Sequence, residues 1–164
     1  MIISTATVKD FPMIREIAYK TWPDTYGQIL SAEQLDFMLG AFYSEEMLQR
    51  NALEKGHLFL LLKENDFPIG FASYEHNYTN ENVTRLHKLY VLPESHRKGA
   101  GKMLLDAVEQ KARENGSTAI SLNVNRFNKA QSFYLRNGFE IVLQEDIEIG
   151  NGYLMEDYRM KKSL

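Results

Sequence analysis

Apolar and polar residues alternate with two different periods along this chain. A period of two, or a short apolar run between turn residues, predicts strands. A spacing of three and four residues predicts helices, which begin after Asp10, Ser31 and Ser44 as capping residues. A further long helix ends at Gly116, and a short one ends before Gly138. The predicted strands are residues 2–8, 58–62, 68–74, 86–92, 119–124, 139–144 and 152–160.

The order of these elements indicates a fold class. A strand is followed by two or three helices, three strands, a helix, a strand, a helix and two strands, which is a mixed α/β (α+β) pattern. Residues 23–27, with Pro23 and Gly27, are predicted to break the first helix. Residues 145–151 are predicted to form an acidic loop between the last two strands.

The stretch from Leu86 to Phe139 carries the strongest chemical signal. A strand that stops at Pro93 is followed by the basic turn His-Arg-Lys-Gly-Ala-Gly-Lys, residues 96–102, and then by a helix. Glycines let a phosphate approach the backbone, and the N–H groups at a helix N-terminus attract anions. By itself such a turn is weak evidence, because it often only caps or bends a helix.

A second stretch strengthens this interpretation. Residues 128–139 read Asn-Lys-Ala-Gln-Ser-Phe-Tyr-Leu-Arg-Asn-Gly-Phe, with Asn128 placed to cap a short helix. Together, and at this spacing, the two stretches resemble the signature motifs of the GNAT superfamily of acetyl-CoA-dependent N-acetyltransferases. Within it, the chain is similar to the small bacterial spermine/spermidine-type N-acetyltransferases. The motifs cover about a third of the chain, and the order of elements fits from end to end.

The resemblance implies a fold. It would be a single N-acetyltransferase domain over residues 1–164, built on a mixed, mostly antiparallel seven-stranded sheet with helices on both faces. The sheet would splay between strands 4 and 5, and the pantetheine arm of coenzyme A would enter that gap.

The resemblance also implies a coenzyme site. The basic turn would hold the pyrophosphate, and the backbone of the fourth strand would pair with pantetheine. The family usually has Arg or Gln three residues before the first glycine, where this chain has His96, so the contribution of that side chain is open. The residues expected to bind acetyl-CoA are Leu89, Tyr90, Val91, Arg97, Lys98, Gly99, Ala100, Gly101, Lys102, Asn123, Asn128, Ser132, Tyr134 and Arg136.

Acetyl transfer to an amine needs a proton donor for the leaving thiolate and a base for the attacking amine. By resemblance the donor is Tyr134, and ordinary pKa values of about 8.5 for a thiol and about 10 for a phenol make the transfer feasible. His87 stands on the strand where several family members carry the base, and its ordinary pKa of about 6.5 suits that role. A half-buried structural histidine is an equal alternative, and Glu75 or His76 is another candidate base.

The acceptor site is expected in the helical insertion between the first two strands, where the family builds much of it. Its predicted residues are Trp22, Tyr26, Tyr74 and Glu75. Aromatic residues of this density are also compatible with plain core packing, which is the commoner role. Glu75, Asp157 and the acidic loop would attract a cationic amine, or would form a solvated surface.

Composition excludes several classes of function. The chain has 164 residues, 44% of them hydrophobic, and a formal net charge of -3, which is typical of a globular domain without general nucleic-acid affinity. It has no cysteine, hence no disulfide, no thiolate zinc site and no Cys nucleophile. No His, Asp or Glu spacing indicates a metal site. Without a membrane-spanning segment or a signal-peptide pattern, we expect a cytoplasmic protein, with a homodimer as one possibility.

Three functions remain open. The first is transfer of acetyl from acetyl-CoA to the primary amine of a small molecule, polyamine-like or amino-acid-like, by direct attack in a ternary complex. The second is acetylation of a protein N-terminus or lysine, which a wide acidic groove would favour over a closed aromatic pocket. The third is a non-catalytic acyl-CoA sensor, against which Asn128 and Tyr134 argue. A dinucleotide-binding module is disfavoured because the glycine turn comes late in the chain.

Overall fold

One sheet of seven strands runs through the molecule. In the computed structural model, which describes residues 1–164, the strands lie in the order β1-β2-β3-β4-β5-β7-β6. The mixed, mostly antiparallel sheet predicted for this chain is confirmed. The strands are β1 (Ile2–Thr5), β2 (Leu58–Glu64), β3 (Phe67–Glu75), β4 (Val83–Val91), β5 (Ala119–Asn125), β6 (Glu140–Gly150) and β7 (Tyr153–Ser163).

Helices cover both faces of this sheet. Adjacent residues of β3 show the two sides, because Phe71 packs against Tyr43 while Gly70 lies against Leu104. We call these sides the α1 face and the α4 face. The α1 face carries α1 (Phe11–Tyr26), α2 (Ala32–Tyr43) and α3 (Glu45–Glu54); the α4 face carries α4 (Ala100–Glu114) and α5 (Ala130–Arg136).

The predicted caps define the helix starts. The hydroxyl of Ser31 accepts a hydrogen bond from the N–H of Gln34, and that of Ser44 accepts one from Met47, both at 3.1 Å. These bonds satisfy N–H groups that have no partner inside the helix. None of the helices has the length and apolar character needed to cross a membrane.

The sheet opens between β4 and β5, the only parallel neighbours. Their pairing runs from Val83 opposite Ala119 to Leu86 opposite Leu122 and stops there. Beyond this point β4 continues beside β3, and β5 continues beside β7. The gap predicted from the resemblance is therefore present between the fourth and fifth strands.

A β-bulge lies where the gap begins. Ser73 pairs with Lys88, but the next residue, Tyr74, pairs with Leu86, so His87 has no partner on β3. A bulge turns the side chains of neighbouring residues to one side. Accordingly, His87 stacks on His57 and Lys88 lies over the ring of Tyr43, both on the α1 face.

The first helix is longer than its sequence predicts. α1 continues through Pro23 to Tyr26, although residues 23–27 indicate a break. Proline removes only one hydrogen bond here, while Trp22 and Tyr26 share a helix face and are both buried. The N–H of Gly27 still donates to the carbonyl of Pro23 at 2.9 Å. The extra turn carries Tyr26 to the gap.

The predicted acidic loop is also wrong, because residues 145–150 belong to β6. Asn151 and Gly152 form the two-residue turn to β7, with φ of 54° and 75°. An Asn-Gly pair at positive φ is the preferred chemistry of a tight hairpin. The carboxylates of this stretch therefore lie on a strand with fixed neighbours.

Candidate active site

The turn before α4 presents unpaired backbone N–H groups. Gly99 is the N-cap of α4, and no side chain caps this helix. The N–H groups of residues 99–102 have no acceptor within the protein. Gly99 has a φ of 78°, and a Cβ at this position would project into open space. These N–H groups and the positive end of the helix dipole form a site that suits a phosphate.

His96 has a structural role at this turn. Its Nε2 lies 2.9 Å from the carbonyl oxygen of Val91. Because a carbonyl only accepts hydrogen bonds, this nitrogen carries the proton and donates. His96 therefore ties the turn to the end of β4.

The predicted cations around the turn differ in their pairing. Lys98 lies 3.2 Å from Glu64, and Lys102 lies 2.8 Å from Asp106. Arg97 is exposed and forms no ion pair, and the same holds for Arg136 at the end of α5. The two arginines are therefore the cations available to a ligand without breaking a contact.

β4 has an open edge that faces the gap. Leu89, Tyr90 and Val91 pair with β3 on one side, but pairing with β5 ends at Leu86. Unpaired strand edges accept further extended chains through backbone hydrogen bonds. An arm with amide groups, such as pantetheine, fits this edge.

The second motif supplies two side chains at the gap. The Oδ1 of Asn128 accepts from the N–H of Ala130 at 2.9 Å, which confirms its capping role, and its amide lies beside the phenol of Tyr26. Tyr134 is 8% exposed and packs against Phe139. The remaining predicted contact, Ser132, is exposed, and its hydroxyl donates to the carbonyl of Lys129 at 2.9 Å.

Tyr134 keeps its proton in this environment. Burial, and after it the neighbouring phenol of Tyr26, raise the pKa of Tyr134 well above its ordinary value. Burial disfavours the charged phenolate because it removes the water that would solvate it. At neutral pH this hydroxyl is therefore a hydrogen-bond donor.

Trp22, Tyr26 and Tyr90 form an aromatic group on the α1 face of the gap. The hydroxyls of Tyr26 and Tyr90 are 2.9 Å apart, and the Trp22 ring lies 4.6 Å from that of Tyr26. Trp22 is only 3% exposed. The structure thus brings two of the four predicted acceptor residues together, with Tyr26 nearer the gap and Trp22 packed behind it.

His57, Glu75 and His87 form a cluster beside the bulge. The two imidazoles stack at 4.0 Å, and Nε2 of His87 lies 3.5 Å from Glu75. Burial, and then the charge of Lys88, lower the pKa of His57 to about 4. Burial and the neighbouring His57 lower the pKa of His87, while burial raises that of Glu75. Both histidines are neutral at pH 7.

The residue types in this cluster are those that bind metal ions, and their ligand atoms lie within 4.8 Å of one another. The surroundings oppose a divalent cation, because Lys55, Lys88 and Arg85 all add positive charge near His87. The sequence-based expectation of no metal site stays a prediction.

Arg85 enters the α1 face of the gap from β4. It is 8% exposed, and it donates to Ser121 at 3.3 Å and to the Oδ1 of Asn123 at 2.6 Å. Asn123, a predicted coenzyme residue, donates in turn to Glu145 at 2.9 Å and to Asp157 at 3.2 Å. Its side chain is fully used in this network, which leaves only its backbone for the coenzyme.

Three of the six acids on the β6–β7 hairpin form ion pairs. Glu145 lies 3.1 Å from Arg159, and Asp146 lies 2.8 Å from Arg126, which also approaches Glu156 at 3.7 Å. These pairs neutralise most of the charge that the sequence assigns to an acidic loop. The hairpin is therefore a weak attractor of cations.

The hairpin tip touches α2 across the α1 face. The rings of Phe37 and Tyr153 lie 5.4 Å apart, and the side-chain amide of Gln34 donates to the carbonyl of Leu154 at 3.0 Å. This bridge joins α2 to the hairpin beyond Asp157.

Two of the predicted site residues lie elsewhere. Tyr74 is 4% exposed on the α4 face, where it packs against His76 at 5.3 Å. His76 is itself bound to Thr84 at 2.8 Å. Strict alternation along β3 sends Tyr74 to the face opposite Phe71, so Tyr74 and Trp22 do not line one cleft. His76 is likewise separated from the α1 face of the gap.

Arg85 and His57 are site residues that sequence reasoning missed. Neither belongs to a motif, and they reach the gap only through the β3–β4 register and the end of α3. The alternation of residues 145–150 before Asn151-Gly152 is a signal that predicts the hairpin.

Comparison with known proteins agrees with this geometry. The sequence profile of the acetyltransferase (GNAT) family matches residues 11–139. The spermidine N(1)-acetyltransferase of Thermoplasma acidophilum is 30% identical over 159 residues, 94% of either chain. The crystal structure of PaiA N-acetyltransferase from T. acidophilum, in complex with coenzyme A, superposes with a TM-score of 0.82 at 29% identity over the whole of both chains. The ribosomal-protein-S18-alanine N-acetyltransferase of Escherichia coli gives 0.74 at 20% identity, over 99% of this chain and 92% of that one.

The residues at the gap fit the coenzyme that this family uses. Unpaired N–H groups suit its pyrophosphate, and the open edge of β4 suits its pantetheine arm. The chain therefore belongs to the GNAT family and is an acetyl-CoA-dependent N-acetyltransferase.

Proposed function

We propose that this enzyme acetylates the primary amine of a small molecule, polyamine-like or amino-acid-like, by direct attack within a ternary complex. Acetyl-CoA supplies the acetyl group as a thioester. The observation that carries the proposal is the contact between α2 and the β6–β7 hairpin, which bounds the acceptor side of the gap.

That contact limits the size of the acceptor. A peptide or a folded protein needs an open groove beside the thioester, whereas Phe37 and Gln34 meet the hairpin at Tyr153 and Leu154. The aromatic group of Trp22, Tyr26 and Tyr90 lines the same side. This favours a compact amine over the alternative, a protein N-terminus or lysine. The 20% identity to the ribosomal-protein enzyme supports the fold alone.

Polyamines and amino acids are the first acceptors to assay. The 30% identical relative is a spermidine acetyltransferase, which supports a polyamine. An amino-acid-like amine is the second class, because its carboxylate could pair with a cation beside the gap.

Both backbone groups and side chains bind the coenzyme. The N–H groups of residues 99–102 take the pyrophosphate, and Arg97 and Arg136 add unpaired cations. Lys98 and Lys102, which pair with Glu64 and Asp106, add further positive charge near the pyrophosphate. The β4 edge at Leu89, Tyr90 and Val91 pairs with pantetheine, and one of its N–H groups faces the thioester oxygen. Asn128, Ser132 and the backbone of Asn123 complete the proposed contacts.

Tyr134 is the proposed donor to the leaving sulfur. Its raised pKa keeps the hydroxyl protonated, and it also makes complete proton loss harder than for a free phenol. The Oη–H therefore stabilises the developing thiolate by a hydrogen bond, and a proton that moves to the sulfur is replaced by the one that the nitrogen of the attacking amine loses, so that Tyr134 ends the turnover protonated.

The base is proposed to be the pair of His87 and Glu75. Burial lowers the pKa of His87 to about 2 and raises that of Glu75, so Glu75 is the member of the pair that keeps an accepted proton, and His87 passes its proton to it over 3.5 Å. Glu75 also lines an open cleft of about 380 Å³, through which the proton can leave to water.

The test is Tyr134→Phe, assayed by thiol release from acetyl-CoA with a panel of amines. We expect kcat to fall at least about 100-fold, as for loss of a general acid, while the coenzyme A dissociation constant changes little. Tyr19→Phe, the same change at a tyrosine that is 39% exposed on α1, is the matched control.

Three results would contradict this proposal. Equal turnover in Tyr134→Phe would remove Tyr134 from the donor role. Tight binding of coenzyme A without thiol release for any amine would favour a sensor, and turnover with peptides alone would favour the protein alternative.

A further inference from the structure

Two cations on β4 face the gap without a carboxylate partner. Arg85 uses only two of the five N–H donors of a guanidinium, toward Ser121 and Asn123. Lys88 lies with its Nζ 5.5 Å from the ring centre of Tyr43 and forms no ion pair. An arginine that is 8% exposed is normally paired, because its charge loses hydration on burial. The guanidinium also lies 5.1 Å from the centre of the Tyr78 ring, and its unused donors remain available to an anion.

A carboxylate with one unused oxygen lies nearby. Asp157 is 1% exposed; its Oδ2 accepts from Asn123 at 3.2 Å, and its Oδ1 has no partner. Asn123 bonds to both groups, so a single amide side chain separates Asp157 from Arg85. Asp157 also lies near the phenol of Tyr26 at the gap. The site thus offers one negative and one positive group a short distance apart.

The other acids near the gap are occupied. Glu145 is held by Arg159 and Asn123, and Asp146 by Arg126. Glu75, the cross-strand neighbour of Arg85, turns to the two histidines. No array of carboxylates is left to hold a second or third ammonium group.

We propose that the acceptor amine carries its own carboxylate, which Arg85 binds, while the amino group lies on the Asp157 side: an amino acid in preference to a polyamine. Lys88 adds a second positive charge on the carboxylate side. The inference rests on the proposed function and names its substrate class. A polyamine would bring several positive charges against Arg85 and Lys88, which Coulomb repulsion opposes.

The phosphates of the coenzyme are too far away to be the anion. Six residues of extended strand separate Arg85 from Val91, the end of β4 next to the phosphate turn, which is about 20 Å. The pyrophosphate is bound at that far end. The anion at Arg85 must therefore come from the acceptor.

The experiment compares matched acceptors that differ only in the carboxylate. The twenty standard amino acids are assayed beside decarboxylated partners such as cadaverine for lysine, with ornithine, putrescine and spermidine added. We expect kcat/KM for the best amino acid to exceed that of its decarboxylated partner at least about tenfold. Arg85→Gln should lower this ratio by about 10- to 100-fold, the size of a charge-assisted pair.

The matched control is Arg113→Gln, the same charge removal at an exposed position of α4, which should keep the ratio. Affinity for coenzyme A, measured by calorimetry, reports whether each variant is folded. If Arg85→Gln does not fold, Arg85→Lys keeps the charge without the forked geometry and should still lower the ratio.

Several outcomes would overturn the proposal: a preference for cadaverine, putrescine or spermidine, or a ratio that Arg85→Gln or Arg85→Lys leaves unchanged. Binding of amino acids to the protein loaded with coenzyme A is measured separately by calorimetry. If no amine is acetylated, the proposed function fails, but amino-acid binding that depends on Arg85 would still support the carboxylate site. If another amine is acetylated but no amino acid binds or reacts, the inference of an amino-acid substrate fails while the proposed function still holds.

Discussion

The two sides of the gap are built in different ways. The coenzyme side is a contiguous turn, residues 96–102, whose binding groups are main-chain N–H groups on the surface. The acceptor side is assembled from β3, β4, β5 and β7, and its groups are buried side chains such as Arg85 and Asp157. Backbone N–H groups bind any diphosphate of the right shape, whereas buried side chains discriminate between acceptors. The first side therefore serves a common coenzyme, and the second decides the substrate.

The largest effect should come from the coenzyme side, with Gly99→Val. The substitution places a β-branched side chain at φ 78° and over the unpaired N–H groups, so it both strains the turn and blocks the phosphate. We expect the coenzyme A dissociation constant to rise at least about 100-fold, measured by calorimetry, because several charge-assisted hydrogen bonds are lost.

Gly116→Val is the matched control. Gly116 has nearly the same φ, 77°, and equally open surroundings, but it follows the other end of α4. The strain should be similar, while coenzyme affinity should remain. If both variants lose coenzyme A equally, the effect is unfolding, and the backbone site at Gly99 is not supported.

The coenzyme side, which is contiguous in sequence, is easier to predict from the sequence than the acceptor side, which is assembled from several strands. The turn and the Asn128 cap are local, so residue types and spacing predict them. Arg85 and His87 depend on a bulge that shifts the β3–β4 register between Ser73 and Tyr74, and no local pattern indicates this shift. Proline at position 23 predicts a helix break that the burial of Tyr26 overrides. Long-range packing decides the acceptor side.

A second prediction concerns stability on the acceptor side. An unfolded histidine binds a proton below about pH 6.5, but in the folded protein the pKa of His57 is lowered to about 4 by burial. Between these values the unfolded state holds more protons, so stability falls as the pH drops from 7 to 5. We expect His57 to account for about 1–2 kcal/mol of the loss in the free energy of unfolding, measured by urea denaturation, so that the loss is smaller in His57→Gln. An identical pH dependence in both proteins would show that this buried histidine is not its source.

A smaller effect is expected where α2 meets the hairpin. Phe37→Ala removes the ring that contacts Tyr153 and loosens the closure of the acceptor side. We expect the KM of the acceptor to rise about fivefold, while the KM of acetyl-CoA is unchanged, because the coenzyme binds on the other side of the gap. Phe67→Ala, at a ring that is 72% exposed near the β2–β3 turn, should change neither. A larger rise for acetyl-CoA than for the acceptor would mean that the two sides are not separate.

The smallest effects should come from single charges on the coenzyme side, because the backbone does most of the binding there. Arg97 is exposed and unpaired, so Arg97→Gln should weaken coenzyme A about threefold at low salt, and less as salt screens the charge. Lys102 is already held by Asp106 at 2.8 Å, so a phosphate must compete for it, and Lys102→Gln should weaken binding less than about twofold. Calorimetry at two salt concentrations measures both. A loss for Lys102→Gln as large as that for Gly99→Val would make side-chain charge the main source of affinity, and the contrast between a backbone site and a side-chain site would no longer hold.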